Sequence, residues 1–225
     1  MFQSSKHQVA AVIDYSVLKP TATEADVIRA CLEAKRYGFC NVTVNPAYVS
    51  VAAKELTGSG VKVGCVVAFP LGASTTEIKV AEALRGLQDG AEELDMVMNV
   101  GRMLSGRTDE VLSEEKAVVG AVKKLNPQAI VKVIIEACYL SEGQKREACR
   151  LAVEAGADFV KSSTGFGPAG AKVEDIRLMR ETVGPRVGVK ASGGIRSLKD
   201  VLEMLNAGAD RVGTSDAPAI MEEIA

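Results

Sequence analysis

Eight short apolar runs, rich in β-branched residues, recur along this 225-residue chain and alternate with segments of helical periodicity. The runs are residues 9–14, 41–45, 61–69, 93–99, 130–137, 159–163, 187–192 and 211–215. Helical patterns include 24–37, 75–88, 110–124, 142–155, 173–182 and 197–206; in the first, Val27, Cys31 and Ala34 fall at i, i+4 and i+7. Three of these segments end in matching turns, Asp89-Gly-Ala91, Ala155-Gly-Ala157 and Ala207-Gly-Ala209, as if one structural unit were reused. Such alternation leaves two architectures, a closed (β/α)8 barrel and an open doubly wound sheet. The open sheet expects G-x-G-x-x-G after its first strand, and Asp14-Tyr-Ser-Val-Leu-Lys-Pro20 is not one. The chain is therefore expected to be α/β, a (β/α)8 TIM barrel forming a single domain over residues 1–225, a little below the usual ~250 residues.

A barrel places functional residues at the C-terminal ends of its strands. Here the first strand ends at Asp14, the fourth lies in Glu93-Leu-Asp-Met-Val-Met-Asn99, and the sixth and seventh carry Lys161 and Lys190. Alternation puts Glu93, Asp95, Val97 and Asn99 on one face, Lys132, Ile134 and Glu136 on another, and Gly188, Lys190 and Ser192 on a third. Charged side chains should then converge in the barrel mouth while Val131, Val133 and Ile135 pack against helices. Lysines on neighbouring strands disfavour double protonation, and a neutral lysine is a nucleophile for carbonyl carbon. Asp95 would pair with the amine that stays charged, or shuttle a proton. Two plainer readings stand beside this one: a strand-end lysine facing solvent or a phosphate, and an ion network that only stiffens the core.

After the seventh and eighth strands come Ser192-Gly-Gly-Ile-Arg196 and Gly213-Thr-Ser215, where barrels commonly hold a phosphate on backbone N–H groups. Gly193, Gly194 and Gly213 would let an anion approach the main chain, and Arg196 would add a charge-assisted contact.

Other classes are disfavoured by composition. A net charge of -2 and 4% aromatic residues without tryptophan argue against nucleic acid or an anionic membrane as partners. Five cysteines, odd in number and without C-x-x-C spacing, fit a reducing cytoplasm rather than a disulfide framework or a zinc site. No apolar run reaches the length of a membrane span and no signal peptide is evident. His7, the only histidine, lies in an N-terminus expected to fray, which disfavours a Ser-His-Asp triad or a histidine-based metal site.

Leu18-Lys-Pro-Thr-Ala-Thr23, Phe69-Pro-Leu-Gly72, Glu93-Leu-Asp-Met-Val-Met-Asn-Val-Gly101, Val133-Ile-Ile-Glu136, Val160-Lys-Ser-Ser-Thr-Gly-Phe-Gly167 and Val189-Lys-Ala-Ser-Gly-Gly-Ile-Arg196, together with Asp14, resemble the deoxyribose-phosphate aldolases. The resemblance extends in order over nearly the whole chain. It implies a class I aldolase without metal or cofactor, cleaving 2-deoxy-D-ribose 5-phosphate reversibly to glyceraldehyde 3-phosphate and acetaldehyde, in deoxyribonucleotide catabolism. Lys161 would form the Schiff base, Lys190 would depress its pKa and help move protons, Asp95 would be the paired acid/base, and Asp14 would join the network. Thr164, Gly165, Gly193, Gly194, Arg196, Gly213 and Ser215 would bind substrate and phosphate. A homo-oligomer, dimer or tetramer, is expected.

Some positions depart from the family pattern. Thr43 replaces a frequent cysteine and Tyr15 a histidine or leucine. Asp216 stands where a serine is expected, and its carboxylate would repel a phosphate unless it turned away to cap the last helix. Two alternatives remain: a Schiff-base aldolase for a different or unphosphorylated substrate, and a non-catalytic sugar-phosphate-binding barrel.

Overall fold

The computed structural model describes residues 5–224. In chain order its elements are α1 (Lys6–Ala10), β1 (Ile13–Val17), α2 (Glu24–Tyr37), β2 (Asn41–Val44), α3 (Val49–Leu56), β3 (Lys62–Val67), α4 (Thr76–Gln88), β4 (Glu93–Val97) and α5 (Val100–Leu104). They continue with α6 (Thr108–Leu125), β5 (Ile130–Ile134), α7 (Glu142–Glu154), β6 (Phe159–Lys161), α8 (Val173–Val183), β7 (Gly188–Ser192), α9 (Leu198–Asn206), β8 (Arg211–Thr214) and α10 (Ala217–Glu222). The eight strands are parallel and close in sequence order into a barrel, β8 pairing with β1.

Local chemistry accounts for the boundaries. Thr23 and Asp26 form a reciprocal capping box that starts α2, and Gly38 ends it in the left-handed conformation. The repeated turns are indeed one unit. Gly90, Gly156 and Gly208 all have positive φ, and the N–H of Ala91, Ala157 and Ala209 each reaches back to a carbonyl five residues earlier. The first strand differs from expectation: residues 9 and 10 are helical, and β1 begins only at Ile13. Ser5 and Gln8 form a capping box there, which turns an apolar run into the short helix α1 with Val9 and Ala10 buried. His7 accordingly sits in a capped helix rather than in a frayed end. Asp14 is thus the second residue of its strand instead of the last.

Apolar strand residues that face outward, such as Leu94, Met96, Val131, Val133, Val160 and Val189, are buried under the helices. An ion cluster in that layer fixes the strand that carries Asp95. Lys79 on α4 is fully buried and donates to the Val97 carbonyl (2.8 Å) at the end of β4 and to Glu114 on α6 (2.5 Å), which also pairs with Arg102 at 3.0 Å. The adjacent Glu115 is buried with both carboxyl oxygens unpartnered. Burial, then the neighbouring Glu114 charge, pushes its pKa up from 4.5 to about 8, against the pull of Lys79. Cys149 on α7 is the other titratable group that feels it.

Between these two pH values the folded chain holds a proton that the unfolded chain has released, so stability falls as pH rises through this window. In Glu115→Gln that loss, on the order of 1 kcal/mol per pH unit at most, should vanish. Urea unfolding at pH 5, 7 and 8.5 checks it, and equal slopes in both proteins would contradict it.

Candidate active site

The interior of the barrel holds seven charged side chains. Lys161 and Lys190 are register partners on β6 and β7, so both amines project from the same level into the interior. Asp95 Oδ2 accepts from both, at 2.7 Å and 2.8 Å, while its Oδ1 accepts from Lys132 at 2.9 Å. Lys132 also reaches Glu93 at 2.6 Å and Asp14 at 3.5 Å. Asp14 Oδ2 lies 2.5 Å from Lys190 Nζ off the direction of a hydrogen bond, so that contact is ionic only. Arg211 closes the cluster, with Asp14 at 2.7 Å and Glu93 at 3.4 Å. Asn41 donates to Glu93 and accepts from Thr43, so Thr43 stands at the far end of the network, two hydrogen bonds from Glu93.

Four cations thus face three carboxylates. Lys132 touches three carboxylates, Lys190 and Arg211 touch two each, and Lys161 touches only Asp95. Lys161 is the least compensated cation and so the one whose proton is cheapest to remove. Burial lowers its pKa most, Asp95 pulls it back up, and the Lys190 ammonium presses it down again, leaving it at about 8. At pH 7 roughly a tenth of Lys161 is then neutral, against about one molecule in three thousand for an ordinary lysine. Lys132 moves the other way: burial opposes its charge, but Asp95, Asp14 and Glu93 raise its pKa. For Asp95, burial favours the neutral acid, and the ammoniums of Lys132, Lys161 and Lys190 outweigh it and hold the carboxyl well below its ordinary range.

One expectation needs correction. The cluster lies inside the barrel rather than at its rim, because Asp95 and Lys132 are mid-strand partners and Asp14 is near the start of β1. Burial is the first cause of the Lys161 shift, and the Lys190 charge adds to it as expected. The sequence put Glu93 and Lys132 on inward faces without revealing their contacts, and Arg211 was legible only as the start of the last strand.

Beside the cluster a cavity of about 500 Å³ opens at the C-terminal ends of β1, β6, β7 and β8. Thr164, Gly165, Gly193, Gly194, Arg196, Gly213 and Ser215 all line it, as do Tyr15, Lys19, Asp26, Arg29 and Asp216, which bring two further cations and two anions, Arg29 being paired with Asp26. Lys19 and Arg29 reach it from the β1–α2 loop and α2, a convergence that no local motif signals. A side chain at Gly213 would meet Lys190 Cε at 3.0 Å, so this cavity-lining glycine lies against the network. Thr164 lines the cavity with its N–H and hydroxyl both donating to Glu136. Asp216 precedes α10 but makes no side-chain capping bond, so its carboxylate stays with the cavity.

Asp95→Asn strips the anion shared by three buried ammoniums. It should cost about 3 kcal/mol or more of stability, read by denaturant unfolding. A variant as stable as the parent would show that these charges do not depend on Asp95.

A family model described as DeoC/LacD family aldolase matches residues 8–215. The deoxyribose-phosphate aldolase of Carboxydothermus hydrogenoformans is 53% identical over 218 residues, covering 97% of this chain and 96% of that protein. That of Thermococcus gammatolerans is 53% identical over 216 residues, with 95% of each chain covered. Among solved structures, the tetrameric deoxyribose phosphate aldolase from Aeropyrum pernix superposes with a TM-score of 0.91 at 37% identity, covering 97% of this chain and 92% of the other. The chain therefore belongs to the DeoC/LacD family of aldolases.

Proposed function

We propose that the chain is a class I aldolase that cleaves 2-deoxy-D-ribose 5-phosphate reversibly to D-glyceraldehyde 3-phosphate and acetaldehyde through a Schiff base on Lys161. One observation carries the reading: a buried amine with a single shared counter-ion, brought down to about 8, ends the strand whose following loop lines a cavity with four glycines. The substrate follows the activity for which the relatives are named.

In this mechanism neutral Lys161 Nζ attacks C1 of the open-chain sugar, and the carbinolamine loses water to give an iminium ion. The iminium is an electron sink for the C2–C3 bond. As the 3-hydroxyl gives up its proton, that bond breaks, glyceraldehyde 3-phosphate leaves, and an enamine remains. Protonation of the enamine at C2 and addition of water release acetaldehyde and restore the amine. Lys190 is assigned the proton transfers, since its amine shares Asp95 Oδ2 with the reacting nitrogen. Asp95, held as a fixed anion, orients both lysines and stabilises the iminium rather than giving up a proton of its own. Asp14 anchors Lys190.

The phosphate falls to the glycine loop after β7 and to Gly213 near the end of β8, with Gly165, Ser215 and the Arg196, Lys19 and Arg29 side chains around it. Asp216 opposes it. A preference for a less charged sugar is the second reading, and Asp216 is what favours it. A homo-oligomer, dimer or tetramer, is part of the proposal, supported by the tetrameric Aeropyrum pernix relative. Among the described residues no helix is long and apolar enough to cross a membrane.

Borohydride with acetaldehyde should leave a covalent adduct on Lys161, located by peptide mass spectrometry and absent in Lys161→Leu. An adduct on another lysine, or no turnover of the phosphorylated sugar, would refute the assignment. Asp216→Asn should lower KM for that sugar roughly three- to tenfold by removing a like charge. An unchanged KM would place the Asp216 carboxylate out of reach of the phosphate.

A further inference from the structure

Among the buried carboxylates that the mechanism leaves unused, Glu136 is bonded to a residue that lines the cavity. Glu136 lies two residues beyond β5 and is 3% exposed, with a backbone φ of 49°, in the left-handed region that a residue with a side chain rarely occupies. Its Oε1 accepts from Thr164 N at 3.1 Å and its Oε2 from the Thr164 hydroxyl. That hydroxyl accepts in turn from Phe166 N at 3.0 Å. We infer that Glu136 is a positioning residue for the phosphate cavity, acting as a clamp on the loop that follows β6. The inference rests on the aldolase reading.

The clamp reaches both sides of the cavity. A side chain at Gly167 would meet Cys138 Sγ at 2.9 Å and Glu136 Cδ at 3.5 Å, so the loop folds back over the carboxylate. Further on, Gly165 and Gly193 both have positive φ, and a side chain at Gly193 would meet Gly165 Cα at 3.2 Å. The β6 loop and the β7 glycine loop therefore touch backbone to backbone, and the position of one sets the other. The short bonds that fix Thr164 also fix Phe166, whose ring meets that of Phe69 edge-on at 5.3 Å between centroids.

The reactive lysine is held by other bonds. Ile135 N donates to the Lys161 carbonyl and Ser162 N to the Lys190 carbonyl, each at 3.0 Å. Ser192 then grips both following serines, its N–H on Ser162 Oγ at 3.1 Å and its hydroxyl on the Ser163 carbonyl at 2.5 Å. Residues 161–163 are thus pinned to β5 and β7, and 164–166 to Glu136. Loss of the clamp should move the phosphate site while leaving the amine in place.

The test uses Glu136→Gly, which accepts the left-handed backbone freely, and Glu136→Gln, which keeps an acceptor oxygen. In Glu136→Gly, KM for 2-deoxyribose 5-phosphate should rise about tenfold while kcat changes less than about threefold. Glu136→Gln should fall between it and the parent. The kcat/KM for unphosphorylated 2-deoxyribose should hardly move, and the Kd of inorganic phosphate, measured by calorimetry, should weaken about as much as KM. A general loss of structure would lower activity on both sugars alike, and that result would overturn the inference. So would a phosphate Kd unchanged in both variants, or a parent protein that binds no phosphate. If the parent binds phosphate but does not turn over the sugar, the aldolase reading fails, and the phosphate Kd alone decides the clamp. Should Glu136→Gly not fold, Glu136→Gln carries the same comparison.

Discussion

Everything chemical in this protein depends on an imbalance of one charge inside the barrel. Asp14, Glu93 and Asp95 face Lys132, Lys161, Lys190 and Arg211, all of them buried but Arg211, which keeps a partly exposed edge. Taking so many ions out of water is costly, and mutual attraction offsets the cost only where each charge meets partners. Three of the four cations meet at least two carboxylates. The fourth, Lys161, shares one oxygen of Asp95 with Lys190, and surrendering its proton leaves the cluster neutral. A barrel whose interior stored one more carboxylate would be more comfortable and less reactive.

The fold serves this imbalance by setting register. Parallel pairing of β4 with β5 brings Asp95 level with Lys132, and pairing of β6 with β7 brings Lys161 level with Lys190. The barrel then lets a carboxylate on β4 reach across β5 to two lysines. Outside the barrel, Lys79 and Glu114 tie the end of β4 to α4 and α6, so the strand carrying Asp95 is braced from both sides. The cavity obeys a different rule. It is built from loops, where glycine allows backbones to touch and where Glu136 supplies the bonds that a regular strand would otherwise make.

Much of this was legible in the sequence, for definable reasons. The period-two alternation in Glu93-Leu-Asp and Val131-Lys-Val assigned inward faces directly, and the helical spacing of Val27, Cys31 and Ala34 marked α2. Where signals competed, the reading slipped. Residues 9 and 10 have strand-like composition, and only the Ser5–Gln8 box makes them helical. The helix α5 spans five residues, too few to show a period, and α3 lacks a side-chain cap. Long-range convergence left no mark either. Nothing local announces that Arg211 meets Asp14 across 197 positions of chain, or that Thr164 spends its donors on Glu136.

The central claim concerns the protonation of one nitrogen, and it can be measured there. The rate at which acetaldehyde and cyanoborohydride alkylate Lys161, followed by mass spectrometry across pH 6 to 11, reports the fraction of neutral amine. A midpoint near 8 is the outcome that the charge imbalance requires. A midpoint near the ~10.4 of a free lysine would mean that the cluster leaves Lys161 as fully protonated as any surface amine, and the account would be wrong.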